Sequence, residues 1–87
     1  MYKVEYAERV EGSMAKFPKH DKRAIFDKIN SLQTDPRPNG AEPLQGQLKG
    51  LYRIRVGNYR VIYTIQDQKL LVLIIKVAKR GEVYKYP

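Results

Sequence analysis

Arg53 and Arg55 lie just before Gly57-Asn58, and Arg60 just after it. The residues from Leu51 to Val56 and from Tyr59 to Ile65 alternate with a period of two, the pattern of half-buried strands. Gly57 and Asn58 are types that tolerate positive φ in a two-residue hairpin turn. That turn pairs Val56 with Tyr59, Arg55 with Arg60 and Arg53 with Ile62. Opposed side chains share a face about 5 Å apart, so the spacing predicts one cluster of three guanidinium groups. A directly opposed arginine pair is repulsive, and a chain selected only to fold would gain from Glu or Thr at one position. The cluster therefore points to a bound anion, most simply phosphate, whose oxygens match the planar fork of arginine donors. The alternative is that the arginines splay into water or pair with Glu82 and the terminal carboxylate.

Leu70 to Val77 reads LLVLIIKV, apolar on both faces, and predicts a central strand. If it runs antiparallel to the Arg60 strand across a turn at Asp67-Gln68, its far end returns beside Asn58 and Arg60. Arg80 then approaches the cluster, and Tyr84 is within reach of it. Lys79-Arg80 read alternatively as a solvated strand end, and Tyr84 as an edge aromatic capping the core.

The remaining elements must position these groups. Tyr2, Val4 and Tyr6 alternate with Lys3 and Glu5, predicting a first strand. Ala7, Val10, Met14 and Phe17 then mark one face of a helix, and Ile25, Ile29 and Leu32 one face of a second. Pro18 separates the two and suits a helix first turn, while Asp35-Pro36 ends the second. The helices are expected to form an antiparallel hairpin. Residues 35–50 hold three prolines and three glycines and read as a long loop. The order is β-α-α-β-β-β, with Glu82 to Tyr86 a possible short last strand or a tail. The expected class is α+β, an antiparallel sheet with the helix pair on one face, in a single domain spanning residues 1–87.

Composition narrows the function. With no cysteine and one histidine, thiolate metal sites, disulfides and most histidine metal sites are excluded. No apolar run is long enough for a membrane-spanning helix and no leader opens the chain, so a small soluble cytoplasmic protein is expected. The net charge of +8 is unevenly spread. Residues 1–48 carry eight bases and seven acids, whereas residues 49–87 carry nine bases and two acids. Such segregation suits a polyanion, whether nucleic acid, acidic protein or membrane surface, or serves only as a solubilising surface. Lys49, Lys79 and Lys85 are the candidates for holding such a polyanion around the arginines.

The run LQGQLKGLYRIRVGNYRVIYTI, followed by an apolar strand and VAKRGEVY, resembles the RelE branch of the RelE/ParE toxin superfamily over the whole chain. The K-R-x-E-V-Y ending favours RelE-like nucleases over ParE-like members. The resemblance implies a toxin that cleaves mRNA on the ribosome without metal or other cofactor and is silenced by a RelB-like antitoxin. The 2′-hydroxyl attacks the adjacent phosphodiester, leaving a 2′,3′-cyclic phosphate and a free 5′-hydroxyl. Carried over by position, Arg53 and Arg55 lie near the scissile phosphate and Arg60 binds it. Arg80 stabilises charge or assists the leaving group, and Tyr84 stacks on or orients a base. Well-known members carry lysines at the positions of Arg53 and Arg55. A lysine among cations can act as a base, whereas an arginine practically cannot. No strong general base is visible: Tyr84 is weak unless cations lower its pKa, Lys79 serves only if it faces the cluster, and His20 is distant in sequence.

Two other functions stay open, a ParE-like poison of DNA gyrase and an RNA-binding module without catalysis. With the chain ending at Pro87, the long C-terminal helix of some relatives is expected to be missing. Leu71, Leu73 and Ile75 would then form an apolar strip on the helix-free sheet face, where an acidic, partly disordered antitoxin docks.

Overall fold

The computed structural model describes residues 1–79 of the 87. Strand β1 (Lys3–Tyr6) leads into a single helical turn, α1 (Val10–Ser13), and then α2 (Lys19–Ser31). A two-residue strand β2 (Glu42–Pro43) follows, then β3 (Leu51–Val56), β4 (Tyr59–Gln66) and β5 (Leu71–Lys79). The sheet order is β1-β5-β4-β3-β2. The α+β class is as expected, but the sheet is mixed, since β1 runs parallel to β5 while the other pairs are antiparallel. The possible strand at 82–86 lies outside the described residues.

Two local expectations change. The helix over Ala7 to Phe17 shrinks to one turn, although its predicted inward residues Val10 and Met14 are buried. Gly12 and Ser13 are poor helix formers, and the Ser13 hydroxyl donates to the Val10 carbonyl at 2.7 Å, competing with helix propagation. The helical cover of the sheet is therefore chiefly α2, whose Ile25 and Ile29 are fully buried together with Leu32 just beyond its end. The loop of residues 35–50 contains β2 and a 3₁₀ turn at Gly46–Leu48. The expected central strand is β5, flanked on both sides by β1 and β4.

The two sheet faces differ. Ile54, Tyr59, Val61, Tyr63, Val72, Ile74 and Val77 meet the helices in the main core. On the other face Ile62 and Ala78 form a small cluster with Leu44, Leu51 and Ile75. A bulge explains why β5 looks apolar throughout: Ile62 pairs with Lys76 but Tyr63 with Ile74, leaving Ile75 as the extra residue. Before the bulge Leu71 and Leu73 take the helix-free face; after it Lys76 and Ala78 do. Leu71, Leu73 and Ile75 are half-buried there.

Polar ties fix the strands to the helix layer. The Tyr59 hydroxyl donates to Asp21 Oδ2 at 2.8 Å, and the hydrogen bond to this carboxylate raises the tyrosine pKa. The buried Tyr63 hydroxyl donates to the Pro36 carbonyl at 2.8 Å, and burial pushes its pKa up to about 12. Ile29 is completely buried in the main core. Ile29→Ala should destabilise the protein by about 2–5 kcal/mol, read from urea unfolding midpoints at unchanged slope.

Candidate functional site

The hairpin register is the one the turn dictates. Arg55 pairs with Arg60 and Arg53 with Ile62. Gly57 takes φ of 57° while Asn58 stays at negative φ, so glycine is needed only at the first turn position, as in a II′ turn. All three arginines line one cleft of about 370 Å³ on the helix-free face, together with Gly40 and Glu42.

Arg60 is the unusual member. It is only 3% exposed, the one charged residue buried among those described. Its Nη1 donates to the Tyr59 carbonyl at 3.4 Å, a long bond, and no carboxylate among the described residues pairs with it. Burying an ion without a counter-charge costs several kcal/mol even after relaxation. Arg55 stands opposite it in the ladder, so two like charges share one face of the hairpin, an unfavourable cross-strand pair. An anion in the cleft offsets both penalties.

Glu42 was missed by the sequence reading. It lies on β2, paired with Arg53, and its Oε1 accepts from Arg53 Nη2 at 3.0 Å. Its carboxylate side chain remains 64% exposed, open to a ligand in the cleft. The available signal was Pro43: a proline next to a charged residue ahead of a strand suits an edge strand, where a missing N–H is harmless.

Other expected site residues are distributed differently. Lys79 pairs with Tyr59 on the helix-side register, because the bulge at Ile75 reverses the alternation that would have turned it toward the arginines. Lys76, opposite Ile62, takes the outward register instead. Lys76 and Lys79 line a second, larger cleft of about 770 Å³ between α1 and the end of β5, with Arg9, Lys16, Val10 and Phe17. Lys49 is exposed beside the 3₁₀ turn, away from the residues lining the arginine cleft. His20 is exposed on α2. Arg80, Tyr84 and Lys85 lie outside the described residues.

A second polar group sits by the loop that carries Glu42. Arg37 Nη1 and Nη2 donate to Asp67 Oδ1 and Oδ2 at 3.1 and 2.8 Å, and the Tyr2 hydroxyl donates to the same Oδ1 at 2.7 Å. The Arg37 bonds, with the Tyr2 bond second, hold the Asp67 carboxyl down at about 2, and the same contact raises Tyr2. A native pKa below the unfolded carboxylate value of about 3.9 stabilises the fold above that pH. This contribution should fade as pH falls from about 4 to 2. Melting curves should show wild type above Asp67→Asn at neutral pH and the gap closing across that acid window.

A family model described as the ParE toxin of the type II toxin-antitoxin system, parDE, matches residues 4–84. The toxin RelG of Mycobacterium tuberculosis is 28% identical over 85 residues, covering 97% of both chains. The archaeal RelE–RelB complex from Pyrococcus horikoshii superimposes with a TM-score of 0.81 at 30% identity, over 92% of this chain and 96% of that one. The isolated Escherichia coli RelE toxin does so at 0.77 and 27% identity, over 98% and 93%. Among the described residues, no helix is long and apolar enough to cross a membrane.

Proposed function

Because the chain belongs to the ParE-toxin family of type II toxin–antitoxin systems, and is a RelE-like toxin of the RelE/ParE superfamily, we propose that it is a metal-independent endoribonuclease that cuts ribosome-bound mRNA. The observation that carries this reading is Arg60, a buried guanidinium with no carboxylate partner among the described residues, lining an open cleft beside two further arginines and one carboxylate. A transferring phosphoryl group gains most from donors already fixed before it arrives, and burial fixes Arg60.

In the proposed reaction the RNA phosphate lies against Arg60 and Arg55. Glu42, oriented by Arg53, accepts the proton of the 2′-hydroxyl. The O2′–P bond forms, the P–O5′ bond breaks, the leaving 5′-oxygen takes a proton from water, and the hydroxide so formed takes the proton back from Glu42. The products are a 2′,3′-cyclic phosphate and a 5′-hydroxyl. The arginines stabilise the dianionic phosphorane, and the ribosome aligns the RNA so that positioning supplies much of the rate. Arg80 adds positive charge at the leaving group and Tyr84 stacks on a base. Glu42 answers the need for a base that the arginines cannot meet.

Primer extension on ribosome-bound mRNA tests this reading. Wild type should cut, and Arg60→Ala should cut roughly 10²–10³-fold more slowly, the scale of losing one fixed donor to a developing anion. Glu42→Gln, which removes the proton acceptor, should slow cutting roughly 10²–10⁴-fold. The ParE family model favours a second reading, inhibition of DNA gyrase by binding alone. Uncut mRNA with wild type, with replication halting before translation in cells, would favour that reading instead.

The partner proposed for the helix-free face is a RelB-like antitoxin, since the Pyrococcus horikoshii relative is a RelE–RelB complex. Leu71, Leu73 and Ile75, half-buried on that face, supply its apolar seat. Leu73→Glu should lower antitoxin affinity at least tenfold by calorimetry while leaving the thermal midpoint of the free toxin within a few degrees, since partial exposure limits its packing role.

A further inference from the structure

Glu42 has to meet a substrate hydroxyl within a few tenths of an ångström, yet the strand that carries it is only two residues long. One of those residues, Pro43, has no N–H to give to the ladder. Beyond it, the Leu44 N–H donates to the Leu51 carbonyl at 2.9 Å. So short an edge pairing is a weak anchor, and the approach to it is a proline- and glycine-rich segment with Gly40 at φ of 94°.

The anchor lies five residues earlier. Arg37 makes a forked contact with Asp67, in the 3₁₀ turn Asp67–Lys69 that follows β4. Its Nε donates to the Tyr52 hydroxyl at 3.1 Å, and its guanidinium lies 5.6 Å from the centre of that ring. Tyr52 is the β3 residue paired with Pro43, and it stacks on Tyr63 with centroids 5.7 Å apart. The Tyr63 hydroxyl in turn holds the Pro36 carbonyl. Asp35 Oδ1 accepts from the Arg37 N–H at 3.2 Å, and the Ala41 N–H donates to the Pro38 carbonyl at 3.0 Å, tightening the path to Glu42. One side chain thus ties the loop to β3, to the turn after β4 and, through Asp67 and Tyr2, to the start of β1. Bidentate pairing is the geometry in which an arginine fixes direction as well as distance.

We propose that Arg37 is a positioning residue: its fork to Asp67 and bond to Tyr52 fix the 38–41 segment so that the Glu42 carboxylate stands beside Arg53 at the mouth of the arginine cleft. This inference rests on the nuclease reading for its effect on rate, though not for its effect on geometry. Surface ion pairs usually contribute little to stability, so an Arg37 role confined to folding would show as a small, uniform loss. A positioning role shows as coupling to Glu42.

The test is a double-mutant cycle on folded protein, with melting midpoints as the control. Arg37→Ala and Asp67→Asn should each lower kcat roughly ten- to a hundredfold, with KM changed less than about twofold. Arg37→Lys, which keeps the charge but not the fork, should recover only part of the loss. In a Glu42→Gln background Arg37→Ala should change kcat less than about twofold, because nothing remains to be positioned. A second readout needs no activity: in NMR spectra of the arginine Nε–H groups, Arg37→Ala should move the Arg53 signal in the direction that Glu42→Gln moves it. Equal losses with and without Glu42, or an Arg53 signal unmoved by Arg37→Ala, would overturn the proposal. A wild type that cuts no RNA but shows the coupled Arg53 shift would overturn the nuclease reading and leave the positioning geometry standing.

Discussion

Electrostatic repulsion between like charges on one β-ribbon is the constraint around which this molecule is arranged. The II′ turn at Gly57 sets a register in which Arg55 faces Arg60, and the sheet then buries Arg60 until 3% of it is exposed. Neither feature helps the chain fold. Both make sense if the cleft is completed by a ligand phosphate, since a low-dielectric, preorganised array of donors stabilises developing charge better than water does. The fold accommodates the strain through its apolar layers, with the main core against α2 and a second small cluster around Ile62 and Ala78 beside the arginines.

Glu42 gives this array a polarity. A cleft of arginines alone binds an anion but has no group to accept a proton near neutral pH. The two-residue strand β2 brings one carboxylate to the same cleft, on Arg53 rather than on the buried Arg60. In the proposed reaction that division leaves Arg60 for phosphate and sets Glu42 beside the nucleophile. The loop delivering it is braced from the opposite side of the hairpin edge by Arg37, Asp67 and Tyr52.

Much of this was legible in the amino-acid sequence where a local rule decides the outcome. The two-residue turn fixed the pairing of Arg53, Arg55 and Arg60, and the i, i+4, i+7 spacing found the buried face of α2. Features set by tertiary contact were not legible. The bulge at Ile75 has no glycine or proline to announce it, and it turns Lys79 to the helix-side register. The shortening of α1 depends on a hydroxyl competing for a carbonyl, and β2 exists only because β3 is there to pair with it. The parallel pairing of β1 with β5 joins opposite ends of the described chain, beyond the reach of any local pattern.

The central claim is that the arginine cleft holds an RNA phosphate. Calorimetric titration with a 2′-O-methyl RNA trinucleotide, which cannot supply the attacking hydroxyl, measures this directly. The account predicts saturable binding by wild type that weakens with salt and is lost in Arg60→Gln of equal thermal stability. Equal affinity in the two proteins would contradict it.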